Sequence, residues 1–255
     1  MTTRPRWTIY YGMRRFLLLA PSFVLEPTVP YRRLSSTLVL ARRNPFLLEC
    51  SPGETMTTRA ALIAPKVQRR RIVAVDADLA IFGLPIGPAL GTEPVRSLEP
   101  ERFAHLGAML DEASFGRLSC EGVDTLFREV TTAILGHDSV PGVTDPRVDA
   151  ALRLIDEWPF EAVTLDALAD RLAISPSRLR HLVKDATGHT VSHYARWTAV
   201  WRAISLWTEG RKLTDIAHEV GFHDLSHVDR AFKEMFGLNP SSLIRPEDVT
   251  LIRCP

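Results

Sequence analysis

At 255 residues, 45% hydrophobic and 24% charged, the chain has the balance of a globular protein and the length of two ordinary domains. A formal net charge of +1 supplies no global basic field that would announce a nucleic-acid partner. Cys50, Cys120 and Cys254 stand far apart with no CxxC pair. That pattern supports neither a disulfide framework nor a zinc site, and it points to a reducing cytoplasm. No apolar run is long enough to span a membrane.

From Met1 to about Leu98 the chain is rich in strand signals. Arg15 to Ala20, Ser36 to Ala41, Pro45 to Glu49, Arg59 to Ala64, Arg71 to Val75 and Leu79 to Leu84 are short β-prone or apolar runs. Pro, Gly, Asn and Asp punctuate them at turn-like intervals, which predicts a sandwich or small barrel. The run FLLLAPSFVL after Arg14-Arg15 resembles a short secretion signal, but Pro21 breaks it and strand-like sequence follows, so it reads as a buried strand. Ser51-Pro52-Gly53-Glu54 reads as a hairpin turn, and Ala61 to Pro65 as a strand turning a barrel corner. Such an interior is either filled or holds a small apolar ligand. No histidine precedes His105, so no metal or other cofactor is expected here. Gln68-Arg69-Arg70-Arg71 is a charge run with two readings: a solvated strand end, or a contact to an anion or to a DNA backbone.

Between Glu99 and Gly136, Phe103, Leu106 and Leu110, then Val123, Leu126, Phe127, Val130 and Ile134, carry helical spacing. They predict two helices broken near Gly116 to Ser119. Residues 137–145, with Pro141 and Gly142, read as a linker. Asp145-Pro146 then starts a helix, Asp as cap and Pro at its first position, with Val148, Leu152 and Ile155 as its stripe.

Leu165, Leu168, Ala169 and Leu172 predict a short helix capped by Thr164. Ser175-Pro176 starts another, through Leu179, Leu182 and Val183, ending at Gly188. Val191 to Trp207 should be one connecting helix, with Tyr194, Trp197, Val200, Trp201 and Ile204 available for packing. The pattern then recurs. Leu213, Ile216, Ala217 and Val220 form a helical stripe; Gly221 supplies a tight turn and Phe222 a plug; Asp224 caps a helix whose buried stripe is Val228, Ala231, Phe232 and Met235. Gly237 ends that helix and Pro240 prevents its continuation. Ala169 aligns with Ala217, and Gly188 with Gly237, so the chain holds one unit in tandem. Helix, glycine turn, helix is the plan that places its second helix in a DNA major groove.

The residues Ile216-Ala217, Gly221-Phe222, Ser226, Arg230-Ala231-Phe232-Lys233, Phe236-Gly237 and Pro240 resemble the signature of AraC/XylS-type transcription regulators. That resemblance implies an α+β chain: a cupin-like sensing and dimerisation barrel (1–98), helices packing on it at the dimer interface (99–136), the linker (137–145), and an all-α domain of two helix-turn-helix units joined by a helix (146–255). It implies a cytoplasmic homodimer bound to double-stranded promoter DNA, with a small-molecule effector and RNA polymerase as further partners, and no membrane or catalytic role. Its base readers fall on Ser177, Arg180 and His181 in the first copy, and on Leu225, Ser226, His227 and Arg230 in the second. The chemistry agrees: arginine forks onto guanine, leucine packs on a thymine methyl, and histidine donates to base or phosphate.

The sequence departs from that family pattern in three places. Ala199 stands where many members carry arginine, and Val183 and Leu243 stand where an aromatic is common. From Asp145 to Arg245 there are 13 Lys/Arg against 14 Asp/Glu, whereas DNA-binding domains are usually basic. Binding therefore has to use local clusters: Arg178, Arg180 and Lys184, and elsewhere Arg196, Arg202, Arg211 and Lys212. The low charge also fits a regulator acting through protein partners. An enzyme with an accessory DNA-binding domain is the third reading, against which isolated cysteines and the lack of clustered ligands argue.

Overall fold

The computed structural model describes residues 7–12, 15–27, 30–51, 53–85, 90–136, 145–208, 211, 213–237 and 249–254. The expected linker lies outside these residues except for Asp145, as do Lys212, Pro240 and Leu243. The chain divides into two compact units. One comprises Met1–Pro85, Ala89–Val140 and Phe236–Pro255; the other comprises Ile86–Pro88 and Pro141–Met235.

The first unit holds the strands β1 (Trp7–Tyr11), β2 (Phe16–Ala20), β3 (Phe23–Leu25), β4 (Tyr31–Arg32), β5 (Thr37–Ala41), β6 (Phe46–Ser51), β7 (Glu54–Thr58), β8 (Ala60–Ile63), β9 (Gln68–Ala74), β10 (Leu79–Gly83), β11 (Val95–Ser97) and β12 (Val249–Arg253). A seven-stranded sheet runs β11-β8-β5-β10-β2-β1-β12, and a five-stranded sheet runs β3-β9-β6-β7, with β4 added against β9. The strands β2, β5 and β10 are buried at every residue. They read as apolar runs because both faces of their sheet are covered. On one face Leu17, Leu19, Leu38, Leu40 and Phe82 pack with Leu110, Leu126, Phe127 and Val130 of α1 (Gly107–Ser114) and α2 (Cys120–Leu135). On the other face the second sheet closes the sandwich: Trp7 meets Phe23 at 5.6 Å, and Arg69 on β9 donates to the Thr37 hydroxyl on β5 at 2.9 Å. The two helices part at Gly116, which adopts φ +71°, and Ser119 caps α2 by accepting from the Gly122 amide.

The last strand overturns two expectations. Residues 249–253, placed by sequence in the helical domain, form the edge strand β12, parallel to β1 with Trp7 opposite Val249 and Tyr11 opposite Arg253. Val249 to Ile252 are partly covered, and Val249, Thr250 and Ile252 are β-branched, yet a parallel partner some 240 residues away leaves no local mark. The cysteines are the second correction. Cys120 and Cys254 are joined in a disulfide across 134 residues of sequence, their Cα atoms 5.4 Å apart, because β12 returns the chain end to the start of α2. Only Cys50 is a free thiol, and it is buried.

The second unit is helical: α3 (Pro146–Glu157), α4 (Leu165–Arg171), α5 (Pro176–Thr187), α6 (Val191–Thr208), α7 (Leu213–Glu219) and α8 (Leu225–Phe236), of which the last residue, Phe236, is counted with the first unit. Asp145 caps α3 by accepting from the Arg147 amide at 2.9 Å, with Pro146 at the first position. The connecting helix α6 buries Tyr194, Trp197, Val200, Trp201 and Ile204. It is pinned to α3 by polar bonds. The buried Asp156 carboxylate accepts from the Tyr194 hydroxyl at 3.2 Å and from the Thr198 hydroxyl at 3.1 Å. Arg202 donates to the Asp156 and Trp158 carbonyls, satisfying the end of α3. The architecture is the expected α+β: a β-rich, cupin-like N-terminal unit with packed helices, and an all-α unit of two helix-turn-helix motifs.

Candidate nucleic-acid interface

The tandem repeat is visible in the backbone bonds of its two turns. After α4, Leu172 N donates to Leu168 O, Ala173 N to Asp170 O, and Ile174 N to Ala169 O. After α7, Val220 N donates to Ile216 O, Gly221 N to His218 O, and Phe222 N to Ala217 O. Each pair is offset by the same 48 residues as Ala169 and Ala217. The pivot of each turn is left-handed: Ala173 at φ +53° and Gly221 at φ +83°. Glycine is needed only at the second. A Cβ on Gly221 would lie 2.9 Å from the Glu161 amide nitrogen, so the backbone itself fills the space a side chain would take. Phe222 is buried behind the turn and packs on Phe160 at 5.1 Å.

Capping fixes where each second helix begins. The Ser175 hydroxyl accepts from the Arg178 amide at 3.2 Å, and the Asp224 carboxylate from the His227 amide at 2.8 Å. That amide bond, then the His223 ring beside it, holds the Asp224 carboxyl below its ordinary pKa. Both helices end at left-handed glycines, Gly188 at φ +73° and Gly237 at φ +74°.

Start, end and buried stripe together decide which side chains face outward. In α5, Leu179 and Val183 are buried, which leaves Ser177, Arg180, His181 and Lys184 exposed. In α8, Val228, Ala231, Phe232 and Met235 are buried, which leaves Ser226, Arg230 and Lys233 exposed. Ser177, His181 and Lys184 sit at i, i+4 and i+7, on one helix face. Ser226, Arg230 and Lys233 occupy the same three places 49 residues later. The two helices thus present one pattern, a hydroxyl, a basic or imidazole side chain, then a lysine.

The remaining expected readers are less open. Leu225 is half-buried, and His227 is half-buried with its ring 5.0 Å from that of Phe222 and 6.4 Å from that of Phe160. One residue escaped the sequence reading. Asp229 occupies in α8 the place that Arg180 holds in α5, so a carboxylate lies beside Arg230 on the second face; the 49-residue offset is the signal that finds it.

The basic clusters sort themselves by partner. Arg202 is committed to the α3 carbonyls, Arg196 pairs with Glu234 at 3.1 Å, and Arg211 pairs with Glu219. Among the described residues, Arg180, Lys184, Arg230 and Lys233 on the two exposed faces enter no ion pair, and neither do Arg171 on α4 and Arg178 on α5. Among the described residues no group of three or more His, Cys, Asp or Glu is placed to hold a metal ion, and no helix is long and apolar enough to cross a membrane.

Comparison with known proteins gives the same picture. A family model described as a helix-turn-helix domain matches residues 168–245. The HTH-type transcriptional activator RhaS of Escherichia fergusonii is 28% identical over 131 residues, half of this chain and 47% of RhaS. A putative AraC-like transcription regulator of Streptomyces antibioticus is 34% identical over 100 residues, 39% of this chain and 33% of that protein. The chain therefore spans about half or less of the length of these curated relatives. The crystal structure of ToxT from Vibrio cholerae O395 shares the fold, with a TM-score of 0.58 at 13% identity over 90% of this chain and 95% of ToxT.

Proposed function

We propose that this chain, whose C-terminal unit is a helix-turn-helix domain of the AraC/XylS type, is a sequence-specific transcription regulator that inserts α5 and α8 into promoter DNA. The observation that carries this reading is the matched pair of exposed faces, Ser177-His181-Lys184 and Ser226-Arg230-Lys233, on equivalent helices of a tandem repeat. Two such helices joined by α6 suit successive major grooves of one DNA face, about 34 Å apart. Ser177, Arg180, His181, Leu225, Ser226, His227 and Arg230 serve as the contacts, Arg230 and Arg180 reading guanine and the lysines meeting phosphate. The chain acts in the cytoplasm as a homodimer and has no catalytic role; in that reducing compartment Cys120 and Cys254 are held as thiols, and the disulfide closes on oxidation. The β-rich unit dimerises and senses a small-molecule effector, the linker at 137–145 joins it to the reader, and RNA polymerase is the downstream partner.

The test is selection of bound sequences from a random DNA pool, followed by binding measurements on the selected site. Arg230→Ala should cost about 1–3 kcal/mol on that site and relax preference at one base pair, with scrambled DNA bound almost as before. Equal weakening on both DNAs would make Arg230 a phosphate contact. The balance of 13 Lys/Arg to 14 Asp/Glu between Asp145 and Arg245 favours a second reading, a regulator acting through protein partners. If no sequence is enriched from the pool, that reading replaces the first.

A further inference from the structure

The run Gln68 to Arg71 does not behave as a uniformly solvated strand end. Its neighbours in the ladder are Cys50 opposite Arg69 and Glu49 opposite Arg71, with a register shift between Glu49 and Cys50 that leaves Arg70 as the extra residue. A bulge moves side chains across the sheet. Without it Arg69 would share a face with Arg71; with it Arg69 joins Ile72 and Ala74 on the inner face and is 0% exposed, while Arg70 and Arg71 stay exposed. On the other side of Arg69 lies β4, with Tyr31 directly opposite. Alternation along this short strap turns Tyr31 and Arg33 inward and Arg32 outward; Tyr31 is 2% and Arg33 4% exposed. Two guanidinium groups therefore share the space between the sheets.

Neither guanidinium is ion-paired to a carboxylate among the described residues. Arg69 spends one nitrogen on the Thr37 hydroxyl. Its Nε and Nη1 and the Nε and Nη1 of Arg33 are buried without a hydrogen-bond partner among the described residues, and the buried Tyr31 hydroxyl lies beside Arg33. Aromatic faces give partial compensation: Arg33 lies 4.7 Å from the Phe16 ring centroid, and both arginines lie 5.8 Å from that of Tyr31. The remaining acidic candidate on the inner face is the Cys50 thiol, and burial pushes its pKa up to about 11, so it stays neutral at physiological pH. Burial also lowers Arg69, to about 10, and lowers Arg33, yet Arg69 remains a cation at neutral pH. Buried like charges that lack a counter-charge are costly, and structures keep them where something offsets the cost.

We propose that Arg33 and Arg69, with the Tyr31 hydroxyl beside them, form a buried receptor for the carboxylate of a small organic acid. Guanidinium donors match carboxylate oxygens, and the Phe16, Tyr31 and Cys50 side chains around them suit an apolar body rather than a hydrated inorganic ion. Entry requires the strap carrying Tyr31 and Arg33 to shift: β4 is a two-residue strand paired with β9, and the backbone bond from the Lys66 amide to the Arg33 carbonyl, 2.9 Å, has to open with it. The inference rests on the reading of the β-rich unit as the sensing part, and it names the chemistry of what is sensed.

The experiment uses the full chain without DNA, so that anion binding and DNA binding can fail independently. Melting temperature and titration calorimetry are followed with benzoate and octanoate, with the isosteric benzamide and octanamide, and with inorganic phosphate. The receptor predicts a saturable rise of several degrees with at least one carboxylate and none with its amide. Arg69→Met and Arg33→Met remove a buried uncompensated charge, so each should melt no lower than the parent without ligand while weakening carboxylate binding at least tenfold. Arg69→Lys, which keeps the charge, should retain part of the response and guards against a variant that fails to fold. No shift with either carboxylate would overturn the proposal, as would equal shifts with phosphate, or Met variants that melt lower yet respond like the parent.

Discussion

Gly221 and Ala173 occupy the same place in the two turns, and their contrast shows what a single backbone position demands. Both are left-handed, but only Gly221 abuts another backbone, at the Glu161 amide. Gly221→Ala should combine a strained dihedral with a clash that no side-chain rotation relieves, costing roughly 1–3 kcal/mol. Ala173→Gly should change stability by no more than about 1 kcal/mol, since relief of the left-handed strain and added unfolded-state entropy oppose each other. Urea unfolding of both variants checks this, and equal losses would refute the steric argument. A second residue-scale effect is acid sensitivity. The Asp145 carboxyl is held at about 2, against its ordinary 3.8, first by the Arg147 side chain and then by the Arg147 amide. A depressed folded pKa stabilises the ionised form, so this contribution is complete above the unfolded value and fades as pH falls from about 4 towards 2. Asp145→Asn should keep most of the cap while flattening the melting temperature over that window. A profile as steep as the parent's would show that other carboxylates carry the acid dependence.

Between elements, the helices α5 and α8 are equal in scaffold and unequal in charge. Both start at a side-chain cap, end at a left-handed glycine and expose the same three positions. The α5 face adds Arg180, where the α8 face has Asp229. A carboxylate on a groove-facing helix repels phosphate, so under the proposed function α5 supplies more of the general attraction and α8 more of the discrimination. Asp229→Asn should strengthen binding to scrambled DNA several-fold at low salt and compress the ratio between selected and scrambled sites. An unchanged affinity for scrambled DNA would place Asp229 away from the phosphates. The scaffold is tied together through α6, whose Tyr194 and Thr198 hydroxyls hold Asp156 and whose Arg202 closes the end of α3.

Over the whole chain, the last strand decides the topology. The chain leaves the β-rich unit, builds the helical one, and returns so that β12 covers the β1 edge and Cys254 reaches Cys120. A disulfide closing so long a loop chiefly restricts the unfolded chain and is worth about 2–4 kcal/mol. Reducing agent, or Cys120→Ser, should therefore lower the melting temperature of the β-rich unit while the circular dichroism of the folded state changes little. Buried Cys50 should resist alkylation in the native protein throughout. If reductant leaves the melting curve unmoved, the two cysteines do not constrain the unfolded chain under those conditions.

Local pattern by itself determined much of this protein. The strands near residues 16–20, 37–41, 46–51, 60–63 and 79–83, the break at Gly116, the caps Asp145, Thr164 and Asp224, and the tandem repeat were all legible. Each rests on neighbours within a few residues, where periodicity and turn chemistry act. Outward placement of Ser177, Arg180, His181, Ser226 and Arg230 followed from the same 3.6-residue period. Tertiary structure alone decided the rest, because each remaining feature depends on a partner distant in sequence. Parallel pairing set β12 against β1 and brought two separated cysteines together. One bulged residue turned Arg69 from a solvated strand into the space between the sheets. Ion pairing with Glu234 and Glu219, and the carbonyls ending α3, took Arg196, Arg211 and Arg202 out of the set of available cations. A charge in a sequence has no partner until the fold supplies one, so which basic residues remain open to a ligand is a property of the packed chain.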